Sequence, residues 1–270
     1  MNLIEEAAKR LRQLEEAGVP LAARAAPVEA PPPPKRAAPE ARKRPAAPQP
    51  SPAQTRTFDL RRLQAAGFIT PTMPESTLLH EFRVLKRPLI QHALGRTATH
   101  GPNRNLIMVT SALPGEGKSF VALNLAMSLA MEIDRRVLLV DADVISPSVP
   151  GALGIEPARG LMDVLTQPGT TLSDVVLGTN VERLTLLLAG TAHAGASELL
   201  SSDAMTTLLA DLSSDPDQIV VFDSPPLLAT TESRVLATHM GQVVVVVEAE
   251  RTTHGVLESA LSTVESCPLV

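Results

Sequence analysis

The chain has 270 residues, a net charge of −5 and 44% hydrophobic residues, with aromatics at only 2%. That length holds one α/β domain with appendages or two small domains, and the core must be built from Leu, Val, Ile and Ala. The acidic balance gives no reason to expect nucleic acid as a partner, and the single cysteine excludes an internal disulfide and a cysteine-built metal site.

The opening MNLIEEAAKR carries acids and lacks the apolar stretch of a secretory signal. No later stretch reaches the ~20 apolar residues that cross a bilayer. Together these predict a cytoplasmic protein, or one held at a membrane through a partner. Residues 3–16 put Leu3, Ile4, Ala7, Leu11 and Leu14 on one helical face, and Gly18 and Pro20 stop the helix, so a short amphipathic element is expected over 1–19. It reads equally as an interaction helix or a solvated end.

Residues 20–56 hold PPPP at 31–34, many alanines and the basic RKR at 42–44. Such a composition cannot bury enough apolar surface to offset its ordering entropy, which predicts a disordered Pro/Ala-rich linker. A folded domain is expected over 57–270. It opens with two amphipathic stretches, FDLRRLQAAGF and STLLHEFRVLKRPLIQHAL, in which Ser76 or Thr77 is the N-cap candidate and Pro88 should bend or end the helix.

From Arg104 onward apolar runs alternate with helical stretches. NLIMVTS, RVLLVDAD, LTLLLAG, QIVVFDS and QVVVVVEAE have the near-continuous hydrophobicity of parallel strands covered on both faces. Between or after them lie SFVALNLAMSLAM, ELLSSDAMTTLLADLSS and HGVLESALSTVES. Repeated strand–helix–strand units predict an α/β fold: a doubly wound, mostly parallel sheet with helices on both faces, the nucleotide-binding core spanning 104–270.

Between the first of those strands and its helix stands Ala112-Leu-Pro114-Gly115-Glu116-Gly117-Lys118-Ser119, the P-loop pattern with Ala in place of its first Gly. Backbone N–H groups of such a loop, and of the helix that Phe120 helps to begin, face phosphate oxygens. Gly115 and Gly117 permit the close approach, Lys118 offers a point charge to the β- and γ-phosphates, and the Ser119 hydroxyl is a ligand for Mg²⁺. ATP and Mg²⁺ are therefore the expected cofactors. Two further strand ends, VLLVDAD and IVVFDSPP, deliver Asp141, Asp143 and Asp223 to the carboxyl edge of the sheet, where ligands of open α/β sheets bind.

ALPGEGKS, VLLVDAD and VVFDSPPLL resemble the Walker A, A′ and B motifs of the bacterial tyrosine kinases. EFRVLKRPLI, LLLAGTAHAGASELLSS and TTESRVLATHMGQVVVVVEA resemble their neighbouring segments, in the same order. The whole is most similar to the tyrosine autokinases associated with exosortase and exopolysaccharide gene systems. The resemblance implies a P-loop NTPase-like kinase in which Lys118 contacts phosphate, Ser119 and Asp223 hold Mg²⁺, Asp141 is the base toward the acceptor hydroxyl, and Asp143 orients water or metal. Leu113 stands where the related partitioning ATPases carry a signature lysine, which argues against a switch of that type.

The resemblance also implies a homo-oligomer assembled through an E-x-x-R-x-x-R helix. Here the run is His80-Glu81-Phe82-Arg83-Val84-Leu85-Lys86-Arg87, in which Arg83 fits and Lys86 stands for the second Arg. An inner-membrane polysaccharide chain-length regulator is the implied partner, and a C-terminal tyrosine cluster the implied acceptor. The chain contains no tyrosine. The acceptor is thus expected beyond SCPLV, where the alternation predicts a further strand, or on another protein; otherwise the resemblance is one of ancestry alone.

Overall fold

The computed structural model describes residues 54–97 and 101–265, all within the compact unit Arg44–Val270. The helix expected over 1–19, most of the linker and the strand expected at the C-terminus lie outside the described residues. In chain order the elements are β1 (Thr55–Arg56), α1 (Leu60–Ala65), α2 (Thr77–Ala93), β2 (Leu106–Ser111), α3 (Lys118–Ala130), β3 (Arg136–Asp141) and α4 (Val149–Leu153). Then follow α5 (Leu161–Thr166), α6 (Leu172–Val175), β4 (Leu177–Thr179), β5 (Leu184–Leu187), α7 (Ala196–Leu200), α8 (Asp203–Ser213), β6 (Gln218–Asp223), α9 (Glu232–Ala237), β7 (Gln242–Val246) and α10 (His254–Ser262).

The strands form one sheet in the order β1-β4-β5-β3-β6-β2-β7, parallel throughout except where β4 meets β5. Alternation along each strand divides the core between the two faces, because successive side chains of a strand point to opposite sides. In β2, Leu106 and Met108 join one apolar cluster, while Ile107 and Val109 join the other; β3 and β6 divide in the same way. The first cluster is closed by residues of α5, α7, α8, α9 and α10, the second by residues of α1, α2 and α3. Both faces are covered, and the P-loop NTPase-like α/β fold expected from the alternating pattern is the fold observed.

All five apolar runs are strands. Two further strands, β1 and β4, are too short to leave a pattern, and β1 falls inside the stretch read as linker, where it pairs in parallel with Gly178 and Thr179. Ser76 caps α2 by accepting the Leu79 N–H at 3.2 Å. Pro88 does not end that helix. A mid-helix proline costs about 3 kcal/mol, and the burial of Leu79, Phe82 and Leu89 against α3 and the sheet offsets it. The stretch ELLSSDAMTTLLADLSS, expected to be helical as one piece, is two helices. Ser202 interrupts it and caps α8 by accepting the Met205 N–H at 3.3 Å.

Candidate active site

β2 delivers the phosphate loop. Gly115 and Gly117 sit at φ 85° and 90°, a conformation that a Cβ would strain, so the spacing of the two glycines follows from the backbone itself. Gly117 precedes α3 without a side-chain cap, which leaves the first N–H groups of that 13-residue helix for an anion. The Phe120 ring packs on Phe68 with centroids 5.2 Å apart, so Phe120 would meet phosphate only through its backbone. Glu116 is buried and turned inward: its Oε2 accepts the Leu113 N–H at 2.6 Å, and its Oε1 accepts the Thr252 hydroxyl from the turn after β7. Its carboxylate shapes the loop from behind, alongside Pro114.

Asp141 and Asp223 end neighbouring strands and lie opposite one another in register, with Asp223 also level with Val109 of β2. Both are fully buried, and each keeps one carboxylate oxygen, Oδ1, with no hydrogen-bond partner. Buried charge without a partner is costly, and that cost favours the protonated form of each carboxyl. Burial first, and then the charge of Asp223, push the Asp141 carboxyl up to about 7. Burial likewise raises Asp223, against the lowering effect of Lys118 and Ser119. Lys118 Nζ lies 2.7 Å from Asp143 Oδ2, 3.3 Å from Ser119 Oγ and 3.9 Å from Asp223 Oδ1. Asp143, read as orienting water or metal, here holds the Lys118 ammonium and accepts the Ser146 N–H at 3.1 Å.

Asp143 and Asp223 face the Lys118 ammonium, and Asp141 lies level with Asp223. A divalent cation would balance the excess, and the donors suit Mg²⁺, a hard ion that binds oxygen and keeps several waters. Among the described residues no group of three His, Cys, Asp or Glu forms a metal cage. An ion shared by Ser119, Asp223 and substrate phosphates needs none. The orphaned Asp223 Oδ1 supplies the vacant lone pairs for such a ligand.

Ser148, which the sequence patterns did not single out, ties these groups together. Its hydroxyl donates to Ser119 Oγ at 2.7 Å and lies 3.4 Å from Asp223 Oδ2, while the next residue, Val149, offers its N–H to Asp141 Oδ2 at 3.4 Å. Its only signal is the spacing of SPSVP directly after the acids. Asp163 was missed as well. It is buried and accepts the N–H groups of Gly160 and Thr191 and the Thr191 hydroxyl, which fixes the loop leaving β5. Of the two assembly candidates, Arg83 is half-exposed on α2 and paired with Glu75 at 2.7 Å. Lys86 is buried; its amine donates to Ser128 O at 2.6 Å and meets Glu132 at 2.7 Å, binding α2 to α3 within the chain.

Comparison with known proteins agrees with this geometry. The ParA family, described as NUBPL iron-transfer P-loop NTPase, matches residues 103–256. Tyrosine-protein kinase YwqD of Bacillus subtilis is 32% identical over 184 residues, covering 68% of this chain and 74% of YwqD. The succinoglycan biosynthesis transport protein ExoP of Rhizobium meliloti is 29% identical over 196 residues, which are 72% of this chain but 24% of ExoP. The crystal structure of the VpsO kinase domain superposes with a TM-score of 0.60 at 29% identity, covering 71% of this chain and 92% of that domain. With its Gly-Lys-Ser corner and paired strand-end aspartates, the chain belongs to the bacterial tyrosine-protein kinases, on the P-loop fold they share with ParA.

Proposed function

We propose that the chain is an ATP- and Mg²⁺-dependent protein-tyrosine kinase. The observation that carries the reading is the level pair Asp141 and Asp223, each with an unpartnered buried oxygen, beside the Lys118 ammonium. The N–H groups at the start of α3 and Lys118 would bind the β- and γ-phosphates. Ser119 and Asp223 would hold Mg²⁺, which supplies neutralising charge across those phosphates. Asp141 then takes the proton of the acceptor hydroxyl while the phenolic oxygen bonds to the γ-phosphorus and ADP departs with the electrons of the broken P–O bond. A tyrosine hydroxyl titrates near 10, and a carboxylate pushed up to about 7 is closer to it than an ordinary one.

Because the 270 residues contain no tyrosine, the acceptor belongs to another chain or to sequence outside them. The similarity to ExoP, a much longer protein named for succinoglycan biosynthesis, supports a role in exopolysaccharide synthesis or export. We place the kinase in the cytoplasm, peripheral to the inner membrane through a polysaccharide chain-length regulator. Among the described residues no helix is long and apolar enough to cross a membrane. A homo-oligomer would use the face of α2 that carries Arg83.

Incubating the purified chain with Mg²⁺, ATP and a peptide bearing one tyrosine should yield phosphotyrosine. Free phosphate without phosphotyrosine would favour the second reading, a nucleotide switch that transfers only to water. The ParA match supports that reading, and the leucine at position 113 weighs against it.

A further inference from the structure

We propose that a cleft of about 260 Å³ beside Asp141 is the slot for the acceptor's aromatic ring. Its walls are Pro147, Pro150, Gly151 and Ile155 on one side and residues 188–190 on the other. No side chain in this lining carries charge, so it suits a flat apolar group rather than a phosphate or a sugar. This inference rests on the kinase reading and adds to it the place where the substrate side chain binds.

The sheet order supplies the argument. Moving from β2 through β6 and β3 to β5, the strand ends present the phosphate loop, then Asp223, then Asp141, then the cleft. Adjacent strands are about 4.8 Å apart, so phosphate, metal ligand, base and ring slot stand in one row. Transfer to a hydroxyl requires the attacking oxygen to approach in line, from the side opposite the departing ADP. A phenol whose ring lies in the cleft would bring its hydroxyl to the γ-phosphate from that side and pass Asp141 on the way. Leu187 is level with Val140 in the ladder, so Leu188, the next residue, runs beside Asp141.

The slot is built rather than incidental. Leu188 O and Ala189 O accept the N–H groups of Leu161 and Met162 at 2.8 and 3.0 Å, and Asp163 clamps Thr191 just past Gly190. The opposite wall begins one residue from each side of Ser148 and Val149, whose groups reach Ser119, Asp223 and Asp141. The two prolines of that wall lose little freedom when a ligand binds, so the surface is preorganised. A substrate seated there would therefore be in register with the metal ligands.

Gly151 offers the test, because a Cβ at that position meets nothing within 4 Å. In Gly151→Leu the side chain projects into free space at the cleft wall. The KM for a one-tyrosine peptide should rise tenfold or more, with the Kd for ATP and the melting temperature close to wild type. An unchanged peptide KM in a folded variant would overturn the slot. A second measurement needs no variant: the same peptide with phenylalanine for tyrosine should compete with the acceptor, and its alanine counterpart should not. Equal inhibition by the two also overturns the slot. Wild-type protein that makes no phosphotyrosine at all rejects the kinase reading itself, and the slot with it.

Discussion

At one end of the sheet Arg135 meets Asp217 at 3.2 Å and Arg136 meets Asp215, with the Asp217 side chain 59% exposed. At the other end Asp141 and Asp223 have no exposure, and each retains an unpartnered oxygen. The same strands β3 and β6 run between these two sets of charges. At the exposed end water screens the ions, and a pair contributes little. At the buried end each carboxylate stays only because something else, a proton or a cation, balances it. Buried carboxylates left with an unpartnered oxygen, as at Asp141 and Asp223, mark the candidate site, whereas the buried Asp163 and Lys86 have their partners within the fold.

The sharpest way to break this contrast is Lys118→Met. It removes the ammonium that meets Asp143 and Asp223, so transfer should fall by at least about a hundredfold in a phosphotyrosine assay. Asp143 would also lose a partner at 2.7 Å. Breaking a buried pair costs about 3 kcal/mol, so the metal-free melting temperature should drop by roughly 6–12 °C for a domain of this size. A variant that binds ATP and transfers normally would contradict the assignment of the loop.

Asp141→Asn should also abolish transfer, yet it should shift stability the opposite way. The folded pKa of Asp141 is raised from 3.8 to about 7, so the folded state keeps a proton that the unfolded chain releases in that window. The stability carried by that proton is present below pH 4 and is lost as pH rises through 7. Asparagine never ionises. Without metal, the variant should melt several degrees above wild type at pH 8, a gain on the order of 2–4 kcal/mol, and the difference should vanish near pH 4. A variant less stable than wild type at pH 8 would mean that the Asp141 charge is compensated in the fold.

The buried end was the more legible one in the sequence. An acid that directly follows four apolar residues can be placed at a strand's carboxyl end from periodicity alone, and Gly-Lys-Ser between strand and helix has few alternatives. What escaped was whatever depends on residues distant in the chain. Ser148 reaches Ser119 across 29 positions and Thr252 reaches Glu116 across 136, and no local pattern carries either contact. Lys86 reads as an assembly contact only through the family resemblance, with packing of its helix on its own domain as the competing reading. The burial of Lys86 depends on Ser128 O of α3 and on Glu132, just past the end of that helix. The two-residue β1 and three-residue β4 are too short for an alternation to register.

The smallest expected effect sharpens the contrast from the exposed end. Asp217→Ala removes the carboxylate that meets Arg135 at 3.2 Å, but Arg135 keeps its bond to Pro216 O at 3.1 Å, and no buried group is left without a partner. Stability should change by no more than about 0.5 kcal/mol and transfer should be unchanged. Thermal melts at low and at high salt provide the check, since a screened pair has little left for salt to weaken. A loss of several degrees that salt abolishes would show the exposed pairs contributing as much as buried ones. The distinction between the two ends would then rest on the phosphate loop alone.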